Sequence, residues 1–282
     1  MRKQDKATGA KIMAQNVKCN NMVVFAGGYD AEMLEIIRVC REAGVEVIDK
    51  HLGWGAAASA YSDEIAQAAS EGKQVVLVEL TRDINLPQGT IEVDHHGDRS
   101  SEPASILQVL SLLGLEPTRM QLLLAANDSG FIPAMLAQGA TAEEVAAVRL
   151  LDRQAQGITP EQEEEAERAI SQAETINGVT VVRMAHSKCA TVTDRLFDPN
   201  QEQRLLILSG DGESNFYGDR RLCELLKGEK TGTAPAPWDP NQTVETFSNF
   251  GGWTGGGEKT GFWGGYASQD DILAYVTNYF AD

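Results

Sequence analysis

Short apolar runs alternate with helical patterns through residues 1–140, and this alternation constrains the fold more than any other feature of the sequence. The runs typical of strands are Met22–Ala26, Val45–Ile48, Lys73–Leu80 and Thr90–Asp94. The segments with helical or buried patterns are Ala31–Ala43, Ala57–Ser70, Ser105–Leu113 and Met120–Ala126. Strand–helix–strand connections favour parallel strands with right-handed crossovers, and parallel strands buried on both faces have continuous apolar sequences. We therefore predict an α/β fold with a parallel, doubly wound N-terminal sheet.

The pattern changes twice along the chain, which predicts three parts. Residues 1–140 form the N-terminal domain, and residues 141–176, with net charge −6, form an acidic linker of two helices. Residues 177–282 form a second, smaller α/β domain, with a cleft between the two domains. Its predicted elements are strands at Val179–Met184, Cys189–Val192 and Leu205–Ser209, a turn within Ser209–Asp219, and helices at Arg221–Leu226 and Gln269–Phe280.

Polar side chains follow the predicted strands of the N-terminal domain. In parallel sheets, ligands bind beyond the carboxyl ends of the strands. The residues at those ends are Asp30, Asp49, His51, Glu79, Asp94, His95 and His96. The sharpest group is the run IEVDHHG at 91–97, which holds two of the four histidines in the chain. Imidazole and carboxylate together suit Mn²⁺, Fe²⁺ or Zn²⁺. The alternative is that the two histidines lie in a surface turn and bind no metal.

Three segments of this domain together resemble the DHH phosphoesterase family, which includes RecJ-type exonucleases, nanoRNases, cyclic-dinucleotide phosphodiesterases and exopolyphosphatases. They are VDHH at 93–96, the helical segment Ser101–Leu113, and LLLAANDSGF at Leu122–Phe131. The resemblance implies hydrolysis of a phosphoester or phosphoanhydride bond by water activated between two divalent ions, Mn²⁺ or else Mg²⁺, Fe²⁺ or Zn²⁺. The metal ligands it implies are Asp30, Glu79, Asp94, His96 and Asp128. The catalytic residues it implies are His95, His96 and Asp94.

A glycine-rich tract near the C-terminus is similar to the substrate-contacting loop of the DHH-associated C-terminal domain. Glycines let backbone N–H groups approach an anion without obstruction by Cβ atoms. The candidate phosphate-binding residues are Gly255, Gly256, Gly257, Lys259 and Arg220. A loop whose glycines only make turns, with the neighbouring aromatic residues filling the core, is the alternative interpretation.

The sequence also departs from the family pattern. The first motif has no histidine, so Asp30 and Glu32 stand where its acids would lie, and His51 is a candidate replacement for the histidine. The second motif offers Glu79 or Asp83 in place of an aspartate, and Glu258 follows the glycines where the family has a histidine. These departures favour a second hypothesis, a degenerate protein that binds a nucleotide or metal without hydrolysis.

Charge narrows the possible partners. The chain has 24 basic and 41 acidic residues, a net charge of −17, which argues against long duplex nucleic acid and anionic membrane surfaces. It favours a small phosphate-containing substrate: a short oligonucleotide, a nucleotide or polyphosphate. The polar segment Met1–Lys18 lacks the apolar core of a secretory signal, and the cysteines lack C-x-x-C spacing. We therefore expect a cytoplasmic protein. The sequence is compatible with a homodimer but does not predict one.

Overall fold

The computed structural model describes residues 21–236 and 239–281 of the chain. The chain divides into two compact units, the first ending at Gly157 and the second beginning at Ile158. The segment Met1–Lys18, interpreted above as non-secretory, lies outside the described residues. Within those residues, no helix has the length and apolar character that crossing a membrane requires.

Unit 1 contains the predicted parallel sheet. Its strands are β1 (Met22–Ala26), β2 (Glu46–Asp49), β3 (Gln74–Val78) and β4 (Ile91–Val93), in the spatial order β2-β1-β3-β4. All adjacent pairs are parallel. The ends of β1, β3 and β4 therefore meet at one edge of the sheet, which brings together the residues that follow them.

Helices cover both faces of this sheet. They are α1 (Ala31–Glu42), α2 (Ser62–Ser70, after a 3₁₀ turn at Ala58–Tyr61), α3 (Ser105–Leu113), α4 (Arg119–Ala137) and α5 (Ala142–Ala155). Because side chains alternate along a strand, Val24 packs in one core with Ile36 and Ile106, while Phe25 packs in the opposite core with Tyr61. The prediction of a doubly wound α/β fold is confirmed.

Helix α4 is kinked where the sequence reads Asp128–Phe131. Gly130 and Phe131 have non-helical backbone angles, and Phe131 has a φ of 59°. A bulky residue in the left-handed region is strained and needs support from its surroundings. The guanidinium of Arg149 lies over the Phe131 ring, 4.6 Å from its centroid, and supplies part of that support. The kink begins two residues after Asp128.

Unit 2 has a six-stranded mixed sheet. Its strands are β5 (Glu174–Ile176), β6 (Val179–Met184), β7 (Leu205–Ser209), β8 (Ser214–Asp219), β11 (Trp253–Gly256) and β12 (Thr260–Gly265), in the order β11-β12-β8-β7-β6-β5. A separate antiparallel pair joins β9 (Lys230–Ala236) to β10 (Asp239–Phe247). The helices are α6 (Pro160–Ser171), α7 (Ala190–Leu196), α8 (Arg220–Lys227) and α9 (Gln269–Tyr279).

One sequence prediction in unit 2 is wrong. Cys189–Val192, predicted as a strand, lies at the start of α7, where Cys189 and Val192 are buried against β6 and β7. Here tertiary packing overrides a short local pattern. The turn predicted within Ser209–Asp219 lies around Gly212, between β7 and β8, and the second half of the segment is β8.

The acidic stretch 141–176 is divided between the units. Helix α5 belongs to unit 1, where Val148 and Ala155 are buried, and α6 belongs to unit 2, where Ala166 and Ala169 are buried. Both helices begin with a capping box, in which a threonine and the residue three positions later satisfy each other's backbone N–H groups. The acidic faces are thus the outer faces of two helices that each pack on a core.

Candidate metal centre

Four of the residues singled out from the sequence converge at the end of the unit 1 sheet. Glu79 follows β3, His95 and His96 follow β4, and Asp128 projects from α4. One ligand atom from each of the four lies within 4.8 Å of the others, so the group could hold a metal ion. Imidazole and carboxylate donors together suit Mn²⁺, Fe²⁺ and Zn²⁺.

His95 is held in one orientation inside this group. Its Nδ1 lies 3.1 Å from Ser105 Oγ, at the start of α3, and its Nε2 lies 2.5 Å from Asp128 Oδ2. The side chain is almost completely buried. Contact with Asp128 raises the pKa of His95 above its usual range. With Nδ1 occupied by the serine, Nε2 is the ring atom that faces the group, as expected for a ligating histidine.

Asp94 lies behind His96 and outside the group of four. Its Oδ1 accepts a hydrogen bond from the His96 backbone N–H at 2.9 Å and lies 3.0 Å from His96 Nδ1. A carboxylate in this position fixes the histidine ring and its tautomer. The sequence predicted Asp94 as a ligand and catalytic residue; in the structure it contacts His96 and lines the pocket beside the group of four.

Asp30 also lies outside the group of four, although it faces the group. Its Oδ1 caps α1 by accepting the Met33 N–H at 2.8 Å. Burial, together with the charges of Asp128 and Glu79, raises the pKa of Asp30 to about 7. An ideal Cβ built on Gly28 would lie 2.9 Å from Glu79 Oε2 and 3.9 Å from Asp30 Oδ2. The two carboxylates therefore share the space left by that glycine.

Glu32 is a buried acid beside the same group. It is only 3% exposed, and its Oε1 accepts the Ile106 N–H at 3.2 Å. Burial and the charges of Asp128 and Glu79 raise its pKa to about 10. The sequence offered Glu32 only as a stand-in for a family acid. Its place on the apolar stripe of α1, four residues before Ile36, is the signal that it is buried.

Two buried carboxylate oxygens of this region, Glu32 Oε2 and Glu79 Oε1, have no hydrogen-bond partner among the described residues. His95 Nε2 and Asp128 Oδ2 are also buried and contact each other at 2.5 Å. Unsatisfied buried polar atoms are rare and costly. Burial also raises the pKa of Glu79. A divalent cation would satisfy these atoms and compensate their charge, so the donor set fits a metal ion.

The backbone of Glu79 is itself strained. Its φ is 54°, in the left-handed region that side chains rarely adopt. The Glu79 N–H donates to the carbonyl of Val93 at 2.9 Å, which ties the residue to the end of β4. Strain of this kind concentrates at functional sites, where the surrounding structure enforces it.

Gly27 allows the end of β1 to approach this strained residue. An ideal Cβ on Gly27 would lie 2.2 Å from the Glu79 carbonyl oxygen. We expect Gly27→Ala to lower the free energy of unfolding of the metal-free protein by about 1–3 kcal/mol, because the backbone of β3 must move. Urea denaturation measures the change. Gly53→Ala is the matched control, since its Cβ would meet nothing within 4 Å; an equal loss in both variants would contradict this account.

A buried ion pair supports the backbone on either side of the group. Arg149 Nη1 donates to Asn127 Oδ1 at 2.9 Å and to Asp152 Oδ2 at 2.8 Å. Asp152 Oδ1 accepts the Ala31 N–H at 3.3 Å. The pair thereby links α5 to the neighbours of Asp128 and Asp30. The sequence pattern does not reveal this pair, because charged residues in an acidic helix predict an exposed face.

The two residues considered as replacements for family ligands do not join the group. His51 is exposed, with Nδ1 3.3 Å from Asp49 Oδ2 and its ring against that of Tyr29. Asp83 Oδ1 accepts the Ser59 N–H at 2.9 Å, so it caps a neighbouring loop. Of the two alternatives for the second motif, the structure brings Glu79 to the group.

A small pocket opens beside the four residues. Its volume is about 120 Å³, and its lining consists of Gly28, Trp54, Gly55, Glu79, Thr81, Asp94 and His96. A second pocket of about 260 Å³ shares Thr81, Asp94 and His96 with it and extends to Arg82 and Arg99. The candidate centre is therefore reached from a continuous surface of unit 1.

The candidate phosphate-binding residues of unit 2 surround one hairpin. Gly255 and Gly256 lie in β11, Gly257 and Lys259 lie in the turn to β12, and Arg220 begins α8. The Arg220 N–H donates to the Lys259 carbonyl at 3.0 Å, and its guanidinium pairs with Glu224. Arg220 Nη1 is buried without a hydrogen-bond partner among the described residues. Gly255 has a packing role as well, since an ideal Cβ there would lie 2.6 Å from the Phe262 ring.

Comparisons with known proteins add little. The chain matches no family model, and it matches no curated protein. Among solved structures it is similar to an uncharacterized protein from Helicobacter pylori G27, with 11% identity over 92% of this chain and 99% of that one. The TM-score of that match is 0.25, which supports no inference about the site.

Proposed function

We propose that the protein is a divalent-metal-dependent hydrolase of the DHH phosphoesterase type, which cleaves a phosphoester or phosphoanhydride bond in a small substrate. The observation that carries the proposal is the convergence of Glu79, His95, His96 and Asp128, beside buried carboxylate oxygens of Glu79 and Glu32 that lack a hydrogen-bond partner. Imidazole and carboxylate groups at the end of a parallel sheet are also what the DHH resemblance implies.

The residues present define the roles in this proposal. Glu79, His95, His96 and Asp128 would hold the metal, and Asp30 and Glu32 supply further carboxylates beside them. When bound, the metal lowers the pKa of water and stabilises charge on phosphate oxygens. Asp94 keeps His96 oriented, and Ser105 does the same for His95. The negative net charge favours a short oligonucleotide, a nucleotide or polyphosphate over a long nucleic acid.

A second candidate function is binding without hydrolysis. Four ligand atoms converge, which is enough for one ion, while Asp30 and Glu32 lie outside the group of four. A centre with one ion would lack the paired-metal arrangement that stabilises both the attacking and the leaving oxygen. The two functions differ in how many ions bind.

Calorimetric titration of the metal-free protein with Mn²⁺ tests both candidates. We expect two ions per chain with micromolar or tighter affinity, and Mn²⁺-dependent hydrolysis of bis(p-nitrophenyl) phosphate by the same preparation. His95→Gln should remove the tight binding, because it deletes a buried ligand, whereas His51→Gln should leave it unchanged. A single tight ion without hydrolysis would favour the second function, and loss of binding in neither variant would refute the assigned centre.

A further inference from the structure

The most exposed large aromatic side chain described in unit 1 lies at the rim of the candidate metal centre. Trp54 is 83% exposed, yet it lines the same pocket as Glu79 and His96. Burying a tryptophan side chain is strongly favourable. A tryptophan left in solvent beside a polar site is therefore well suited to contact a ligand.

The loop that contains Trp54 is hydrogen-bonded to the segment that follows β3 and contains Glu79. The Ala58 N–H donates to the Thr81 carbonyl at 2.9 Å, and the Thr81 N–H donates to the Ala56 carbonyl at 2.8 Å. Thr81 lies two residues after Glu79. The base of the loop is therefore fixed relative to the centre, although the tryptophan itself is open to solvent.

The surroundings of Trp54 leave a face of its ring open. Glycines flank it on both sides, and ideal Cβ atoms on Gly53 and Gly55 would meet nothing within 4 Å. Among the residues that line the pocket, Trp54 is the large aromatic side chain, in contrast to the acids Glu79 and Asp94.

The size of the pocket indicates how a ligand would use this side. At about 120 Å³ the pocket is far smaller than the 300–1,000 Å³ typical of sites that enclose a whole ligand. A phosphate group is small enough to enter it, and Trp54 lies in the lining of the same pocket, where it can contact a base that extends from that phosphate. Base–aromatic stacking is tolerant of sequence and needs only an accessible ring face.

From this arrangement we propose that Trp54 is a specificity-determining residue, which stacks on a planar base attached to the phosphate bound at the centre. The proposal rests on the proposed function, because it assumes that the centre binds phosphate. It separates the substrates left open above: compounds that carry a base gain a contact at Trp54, and polyphosphate gains none.

Binding of two small phosphates to the Mn²⁺-loaded protein tests the proposal without requiring turnover. Adenosine 5′-monophosphate and ribose 5-phosphate share the sugar and the phosphate and differ by the base. By calorimetry, we expect the wild-type protein to bind the nucleotide about 10-fold more tightly. Trp54→Ala should abolish that preference by weakening nucleotide binding, Trp54→Phe should keep most of it, and ribose 5-phosphate should bind all three proteins equally.

The controls separate this proposal from the proposed function. Leu115→Ala removes another exposed apolar side chain of unit 1 and should leave both affinities unchanged. Equal affinity of the wild-type protein for the two phosphates, or binding of neither, overturns the role of Trp54 even if hydrolysis is observed. A preference that Trp54→Ala abolishes supports it even if no hydrolysis is found. A preference that survives in Trp54→Ala places the base elsewhere and overturns the proposal.

Discussion

Asp128→Asn should lower kcat/KM for Mn²⁺-dependent hydrolysis of bis(p-nitrophenyl) phosphate by about 10³-fold. The substitution keeps the shape of the side chain but removes the negative charge of a residue whose Oδ2 lies 2.5 Å from His95 Nε2. Metal-ion catalysis contributes several kcal/mol of transition-state stabilisation, and each 1.36 kcal/mol corresponds to a factor of ten. Steady-state kinetics with metal saturation checked by calorimetry measures the loss.

Two further variants make this expectation specific. Asp94→Asn should cost only about 10–100-fold, the range typical of residues that orient a ligand without being one. Glu116→Gln removes an exposed acid of unit 1 and should leave kcat/KM unchanged. Wild-type turnover in Asp128→Asn would remove this residue from the centre. A larger loss in Asp94→Asn than in Asp128→Asn would reverse the roles that the structure assigns to them.

The strands of unit 1, and the sheet edge at which the candidate metal centre lies, could be predicted from the sequence. Parallel strands buried on both faces have apolar sequences such as Val75–Val78, which local patterns reveal. The polar residues that follow such strands must meet at one sheet edge, which is why Glu79 and His95 could be placed together. The resemblance at Leu122–Phe131 added Asp128, which no rule of periodicity would have selected.

The direction of each side chain could not be predicted in the same way. Asp94, His95 and His96 are consecutive, but the Asp94 carboxylate turns back onto His96 while His95 points to Asp128. The buried pair of Arg149 and Asp152 could not be predicted, because the acidic sequence of their helix is typical of a solvent-exposed face. These features depend on packing between distant segments, which sequence spacing does not record.

Unit 2 was less predictable outside β6 and β7, because its C-terminal strands lack a clear apolar period. Strand β9 is mostly exposed, and β11 and β12 contain several glycines. Such sequences indicate loops as much as strands. The hairpin of β11 and β12 is held in the sheet by pairing of β12 with β8 and by the buried Trp263, which are contacts between remote parts of the chain.

Glu32→Gln should make the metal-free protein more stable at pH 8, by about 1–3 kcal/mol. Burial and neighbouring carboxylates raise the pKa of Glu32 from 4.5 to about 10. Between those values the folded state holds a proton that the unfolded state has released, so stability falls as the pH rises through this window. Glutamine keeps the shape of the side chain without a titrating group, and the variant should therefore lose stability less steeply with pH.

Urea denaturation of chelator-treated protein at pH 5 and pH 8 measures this difference. Glu35→Gln is the matched control on the same helix, because hydrogen bonds from Arg38 and Gln121 outweigh burial and hold the pKa of Glu35 below its usual value. That variant should keep the wild-type slope. Identical slopes for wild type and Glu32→Gln would show that Glu32 does not take up a proton on folding in this pH range.

The stabilisation that Mn²⁺ gives to the wild-type protein should rise with pH, whereas the stability of the metal-free protein falls with pH. A cation at the centre favours the ionised form of nearby carboxylates, so the stabilisation of wild type by Mn²⁺ should be greater at pH 8 than at pH 5, where protons compete with the ion. Glu32→Gln should gain less from Mn²⁺ than wild type at pH 8, because one of the charges that the ion compensates is gone. The buried acids would then be the source both of the instability of the metal-free protein and of its affinity for the ion.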